Sequence, residues 1–195
     1  MSKLYVDGCS YTYGYGLDRQ YSLANLLTTA EDIATDHSAV GKSNYAIALD
    51  LYESILSSDV YIIGWTFSDR TEFNLDNNII QASVSRTDIG LGAVSNAEYL
   101  EKEYHTLQNK FYRYASRQDI LSDFFVDATA SMLAKQNKKF IFFSWESRNC
   151  KSQILYPYVA SNYRQQDMTD WQSVGHLTKD GMQHLANIIA EKINE

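Results

Sequence analysis

Two uninterrupted apolar runs constrain the fold of this chain more than any other feature. They are Asp59-Val60-Tyr61-Ile62-Ile63-Gly64-Trp65 and Lys139-Phe140-Ile141-Phe142-Phe143-Ser144-Trp145. Neither alternates apolar with polar residues, so neither suits a strand with one wet face. Each reads as an interior strand of a parallel sheet covered on both sides. Parallel neighbours need a crossover of about a dozen residues or more, usually a helix.

The sequence supplies such helices. Ile47, Leu51 and Ile55 recur every fourth residue between Asn44 and Ser57, and Leu23, Leu26 and Leu27 take helical spacing between Gln20 and Thr28. Leu121, Phe124, Phe125, Ala128, Met132 and Leu133 give one apolar face to the stretch from Ile120 to Asn137. Met182, Leu185, Ile188, Ile189 and Ile193 do the same after Thr178, a good helix cap. Glu98 to Tyr114 also reads as helical. Shorter strands are expected at Leu4-Tyr5-Val6, at Ser38-Ala39-Val40 and from Ile154 to Tyr158. The polar stretch from Ser68 to Ser95 has no sustained period and reads as an excursion or lid-like loop. At about 150 residues per domain, the 195 residues predict one α/β domain with an open, mostly parallel sheet and helices on both faces.

Composition narrows the function. Seventeen basic residues against 24 acidic ones leave a net charge of −7, and no basic cluster is present to track a nucleic-acid backbone. Gly14-Tyr15-Gly16 is too poor in glycine for a dinucleotide fingerprint, and Gly41-Lys42-Ser43 lacks the upstream glycine of a phosphate loop. Cys9 and Cys150 are too few for a disulfide framework or zinc site, and Cys9 reads as a small buried hydrophobe. No metal-ligand set is visible. No run approaches the roughly 18 apolar residues of a membrane span, and the N-terminal residues lack the pattern of a secretion signal. The expectation is a cytoplasmic protein with no membrane or nucleic-acid partner. The sequence sets no oligomeric state.

In an open parallel sheet ligands bind beyond the carboxyl ends of the strands. Three segments fall there: Gly8-Cys9-Ser10-Tyr11-Thr12-Tyr13-Gly14-Tyr15-Gly16-Leu17, Gly41-Lys42-Ser43-Asn44 and Gly175-His176-Leu177-Thr178-Lys179-Asp180-Gly181. A serine just past a strand, amides at helix starts and a late histidine are the parts of an acyl-transfer site. His37, His105 and His184 read as surface or packing histidines, with His37 the one nearest Gly41.

Taken in order, these segments resemble the blocks of the SGNH, or GDSL-like, hydrolase superfamily. Gly8-Cys9-Ser10 stands where that family carries its Gly-Asp-Ser nucleophile block, followed by Thr12, Gly14, Gly16 and Leu17. Gly41-Lys42-Ser43-Asn44 is similar to the second block, Ile63-Gly64-Trp65-Thr66 occupies the place of the third, and Gly175 to Gly181 resembles the histidine-bearing fifth. The Cys-Ser-x-Thr-x-Gly and Gly-x-Ser-Asn patterns look like those of compact, phage-encoded members, so a virus-encoded protein is an expectation.

The resemblance implies a three-layer α/β/α sandwich of flavodoxin-like form and a serine esterase that needs no metal or cofactor. Ser10 would be the nucleophile and His176 its base. The amides of Ser10 and Gly41 would hold the oxyanion together with one side-chain donor. Two positions depart from the family. Thr66 replaces an asparagine, so either Thr66 or Asn44 would be that donor. Ser173 stands where the acid belongs, so Asp170 takes that role, or the machinery is a dyad, or the site is inert. Tyr11, Tyr13, Tyr15, Trp65, Trp145 and Trp171 are candidates for a substrate groove, with Arg70 after the third strand. The implied substrate is a small-molecule or glycan ester carrying a short acyl group such as acetyl. The alternatives are an inactive glycan- or protein-binding module on the same fold, and a transferase using the same serine.

Overall fold

The structure is a computed structural model that describes residues 2–29, 32–54, 57–67, 120–157, 164 and 176–195, and the backbone of 70–75 and 78–83. Its strands are β1 (Ser2–Gly8), β2 (Asp32–Asp36), β3 (Val60–Trp65), β4 (Arg70–Leu75), β5 (Asn78–Ser83) and β6 (Lys139–Ser144). Its helices are α1 (Ser10–Tyr13), α2 (Leu23–Leu27), α3 (Asn44–Ser54), α4 (120–135) and α5 (Lys179–Asn194).

β2, β1, β3 and β6 lie side by side in that order, all parallel. Without the hairpin strands this is a 2-1-3-4 arrangement, the beginning of the flavodoxin-like doubly wound order. β1 meets β3 with Leu4 opposite Val60 and Gly8 opposite Gly64, and β3 meets β6 with Val60 opposite Lys139 and Trp65 opposite Ser144. The order reverses between β1 and β3, so the crevice beyond their carboxyl ends is where a ligand is expected.

Strand alternation divides the core into two layers. Leu4, Val6, Ile62, Ile141 and Phe143 pack with α2 and with Met182, Leu185 and Ile189 of α5. Tyr5, Tyr61, Ile63, Trp65 and Phe142 pack with Ile47 and Leu51 of α3 and with Val126 and Leu133 of α4. Helices therefore cover both faces, which makes a three-layer α/β/α sandwich. The Thr178 hydroxyl accepts the Gly181 amide at 3.2 Å and starts α5, while Asn137 in the left-handed conformation (φ 53°) follows the end of α4. Among the described residues no helix is long and apolar enough to cross a membrane.

Three expected elements differ. The second strand is Asp32–Asp36 rather than Ser38-Ala39-Val40. Among the described residues it pairs only with β1, and its exposed positions alternate, as an edge strand allows. The 38–40 stretch instead runs on beside the end of β1, with the His37 amide on Val6 O at 2.8 Å and the Ala39 amide on Gly8 O at 3.1 Å. Within the polar excursion, β4 and β5 form an antiparallel hairpin pairing Arg70 with Ser83 and Leu75 with Asn78. Such a ladder satisfies its backbone without an apolar period. The short strand expected from Ile154 is a single bridge of Leu155 to Phe143. The helix expected at 98–114 lies outside the described residues.

At the C-terminal edge of the sheet two facing glycines make room for α1. A Cβ on Gly64 would press on Thr12 Oγ1 and lie 2.5 Å from Cζ of Phe143, and a Cβ on Gly8 would meet Thr12 and come within 2.8 Å of the Gly64 carbonyl. Gly64→Ala is expected to destabilise the protein by about 1–3 kcal/mol through overpacking. Urea unfolding of the variant beside wild type checks this, and an unchanged midpoint would mean that α1 can retreat freely.

Candidate active site

β1 ends at Gly8, Cys9 turns inward (1 % exposed), and Ser10 opens α1. The helix lasts one turn because Gly14, at φ 77°, accepts a left-handed cap that returns its amide to Ser10 O. As the first helical residue, Ser10 presents an amide with no acceptor inside the helix. The histidine arrives from the opposite end of the chain, where Leu177 is buried and Thr178 caps α5. His176 Nε2 lies 2.8 Å from Ser10 Oγ. With its proton on Nδ1 the imidazole is a hydrogen-bond acceptor for the serine hydroxyl, the geometry a nucleophile and its general base require.

Aromatic rings surround this pair. Tyr11 stacks on the imidazole with centroids 4.5 Å apart and 28° between planes, and Tyr15 leans on it at 5.3 Å. Tyr11 also touches Trp145 at 5.3 Å and Phe67 at 6.1 Å, and the Arg164 guanidinium lies 5.7 Å from the Trp145 ring. Tyr11 and Trp145 therefore line the neighbourhood of Ser10. Tyr13 turns away and is covered by Arg19 at 4.1 Å. Trp65 does not reach the site: it is fully buried on the opposite sheet face, edge-on to Phe142 at 5.3 Å. An odd position on β3 points toward α3 and α4, which corrects its assignment to the groove. Arg70 begins β4, with only its backbone described, and Asp170, Trp171 and Ser173 lie outside the described residues.

The two side chains considered for the oxyanion differ in what they already do. Asn44 binds the main chain of Thr66 from both sides, its Oδ1 accepting the Thr66 amide at 2.9 Å and its Nδ2 donating to the Thr66 carbonyl at 3.1 Å. The other Nδ2 hydrogen goes to Ser122 Oγ at 2.5 Å, so the Asn44 amide donors are committed. Thr66 is fully buried, and its hydroxyl has no hydrogen-bond partner among the described residues. A buried orphan hydroxyl costs about 1–3 kcal/mol unless a partner satisfies it. Continued alternation along β3 puts Thr66 on the face of Gly64, the face over which Thr12 of α1 lies.

One residue at this end carries no signal in the sequence blocks. Arg148, its side chain 1 % exposed, donates through Nη2 to the Thr66 carbonyl, through Nη1 to Ser122 Oγ at 2.6 Å, and through Nε to Ser144 Oγ at 3.1 Å. Its sole sequence cue is a cation four residues past the end of a strand buried on both faces.

Gly41, at φ 79°, sits in the turn that follows the 37–39 stretch beside β1. Its neighbour Lys42 points inward. Lys42 Nζ bonds Asp7 Oδ1 at 2.6 Å, Asp50 Oδ2 at 2.5 Å and the His37 carbonyl at 3.0 Å. Asp7 also accepts from the Gly8 amide at 2.6 Å and the Tyr5 hydroxyl at 3.0 Å. Burial pushes the Asp7 carboxyl up to about 7, against the pull of Lys42 and these donors. Burial, then Asp7 itself, pushes the Tyr5 phenol up. His37 stacks on Tyr5 at 4.3 Å, and burial lowers its imidazole.

Lys42→Met would leave Asp7 buried without its cation, at an expected cost of about 3–5 kcal/mol. The folded Asp7 pKa lies above its unfolded value, so stability from this group is present in acid and lost as pH rises through the folded pKa. Removing the lysine raises that pKa further. The deficit of the variant relative to wild type should therefore grow between about pH 6 and about pH 9 in denaturant titrations. A deficit independent of pH would mean that Asp7 is not the group in distress.

No family model matches the sequence, and no curated protein sequence matches it. Solved structures are similar along its length. One is a protein assigned to the lipolytic G-D-S-L family from Desulfitobacterium hafniense DCB-2, with 13% identity, 99% of each chain covered and a TM-score of 0.43. Another is an alpha/beta hydrolase enzyme from the metagenome of Lake Arreo, Spain, with 14% identity, 99% of this chain and 95% of that one covered, and a TM-score of 0.42. A third is a GDSL-like lipase from Bacteroides thetaiotaomicron VPI-5482, with 12% identity, 99% and 88% covered, and a TM-score of 0.40.

Proposed function

We propose that this protein is a metal-independent serine ester hydrolase that removes a short acyl group through an acyl-enzyme at Ser10. The observation that carries the reading is the 2.8 Å contact of His176 Nε2 with Ser10 Oγ at the switch point of the sheet. An unaided serine hydroxyl is a weak nucleophile. Here Nε2 takes the Oγ proton as Oγ bonds to the acyl carbon. The carbonyl π electrons move to oxygen, and the Ser10 and Gly41 amides with the Thr66 hydroxyl receive that oxyanion. Collapse of the intermediate expels the alcohol, which leaves with the proton from His176. Water then repeats the sequence and frees the acid.

Ser10 is only 3 % exposed, which supports a small acyl group over a long chain. The Tyr11 and Trp145 rings beside it would suit the flat face of a sugar, so an acetylated carbohydrate is the substrate to try first. Asp170 is the carboxylate that most closely precedes His176 in sequence, and the ring-orienting role is proposed for it on that ground. If it acts there, Asp170→Asn should cost about 10⁴-fold in kcat; an unchanged rate marks a dyad.

The test is hydrolysis of p-nitrophenyl acetate by wild type, Ser10→Ala and His176→Ala at equal concentration. Turnover by wild type and a fall of about 10³-fold or more in both variants is expected. Equal rates in all three, with no fluorophosphonate attached to Ser10, would refute the hydrolase and favour a binding module on the same fold.

A further inference from the structure

We propose that Arg148 is the positioning residue of the oxyanion site, holding the main chain of Thr66 so that the Thr66 hydroxyl faces the developing charge. This inference rests on the hydrolase reading above and adds to it a residue from a different part of the chain.

Among the described residues, Thr66 is bonded through its main chain and not through its side chain: its backbone amide and carbonyl both have partners, while its buried hydroxyl has none. Among the same residues Thr12 Oγ1 and Trp65 Nε1 are likewise buried without a partner. Of these three, Thr66 Oγ1 is the one set at the end of β3 in the place of the expected oxyanion donor, where a ligand atom would satisfy it. A threonine side chain is short and cannot reach out as an asparagine can. Its usefulness as a donor depends on where the main chain of residue 66 is fixed. Donors act on an oxyanion only when held close to the place where the charge forms.

Arg148 fixes that place. A guanidinium has five N–H directions in a rigid plane, and here three hydrogen bonds and two flanking carboxylates surround it. Nε donates to Ser144 Oγ, Nη1 faces Ser122 Oγ and Asp123 Oδ1 (3.7 Å), and Nη2 faces the Thr66 carbonyl and Glu146 Oε1 (3.3 Å). These partners belong to the ends of β3 and β6, the first turn of α4 and the loop after β6. The two carboxylates offset the charge, so the cation is held in place without needing the substrate. The loop is anchored in turn, with the Asn149 amide on Asp123 Oδ2 at 3.0 Å and the Ser152 amide on Asp127 Oδ1 at 2.9 Å. Asn44 grips Thr66 from α3, and Arg148 completes the clamp from the loop after β6.

The test is a double-mutant cycle of Arg148→Gln and Thr66→Val, read as kcat and KM on p-nitrophenyl acetate, with Arg148→Lys as the conservative variant. Thr66→Val is expected to lower kcat about 100-fold, the loss of one oxyanion donor. Arg148→Gln should lower kcat about 10- to 100-fold with KM little changed. In the Thr66→Val background the same change should cost less than about 3-fold, since its effect passes through the lost hydroxyl. Arg148→Lys keeps the charge but not the fork and should recover only part of the rate. Unfolding midpoints identify any variant that has lost its fold; if Arg148→Gln has, Arg148→Lys carries the cycle. Equal losses from the arginine change in both backgrounds, or a change in KM alone, would overturn the inference while leaving the hydrolase standing. Absence of turnover and of Ser10 labelling in wild type would instead overturn the hydrolase and this inference with it.

Discussion

Everything at the functional end of this molecule depends on how closely α1 can approach the sheet. Gly8 and Gly64 face each other across β1 and β3, and Thr12 fills the space that their missing side chains leave. That contact seats the single turn carrying Ser10 directly over the crevice where the strand order reverses. A side chain at either glycine would lift the turn and carry the serine away from an imidazole that is anchored separately, by the cap of α5. For the proposed chemistry the steric requirement is therefore also a functional one, met by leaving atoms out.

Two polar clusters support the site on the other sheet face, where Tyr5, Trp65 and α3 pack. Lys42 ties the Gly41 turn to the end of β1 through Asp7 and to α3 through Asp50. Asn44, Ser122, Ser144 and Arg148 gather around the main chain of Thr66. Neither cluster adds much net stability by itself, because burying charged and amide groups costs roughly what their mutual bonding returns. Their value is directional. Each fixes the backbone of one residue that the proposed chemistry needs, Gly41 in one case and Thr66 in the other.

How much of this could be read in advance follows from what each element demands of its residues. The strands β1, β3 and β6 are legible because burial on both faces forces continuous apolar runs, even though β6 ends the described sheet with only the Leu155 bridge beside it. The edge strand Asp32-Ile33-Ala34-Thr35-Asp36 carries an acid at each end and one apolar residue exposed by half, so its composition resembles a loop. The β4–β5 hairpin escaped for a related reason. Phe73 to Leu75 and Ile79 to Ile80 flank Asp76-Asn77, a turn signal easily lost among neighbouring asparagines and glycines. Ser10 and His176 were visible because their blocks keep order and spacing. Trp65 was misplaced because a motif gives a position in sequence but not the face of the strand. Arg148 had no block to announce it, since its role is set by where three other elements end.

The proposed reacting pair spans 166 residues of sequence, joining the end of the first strand to the start of the last helix. Protein chains are made from the N-terminus onward. During synthesis, then, the serine exists long before the imidazole that would activate it, and the two meet only once α5 has packed onto α2 and β6. On the proposed reading, a nascent or clipped chain lacking that helix would keep its serine dormant. Reactivity at Ser10, if the proposed chemistry holds, would then be a chemical report that α5 has docked.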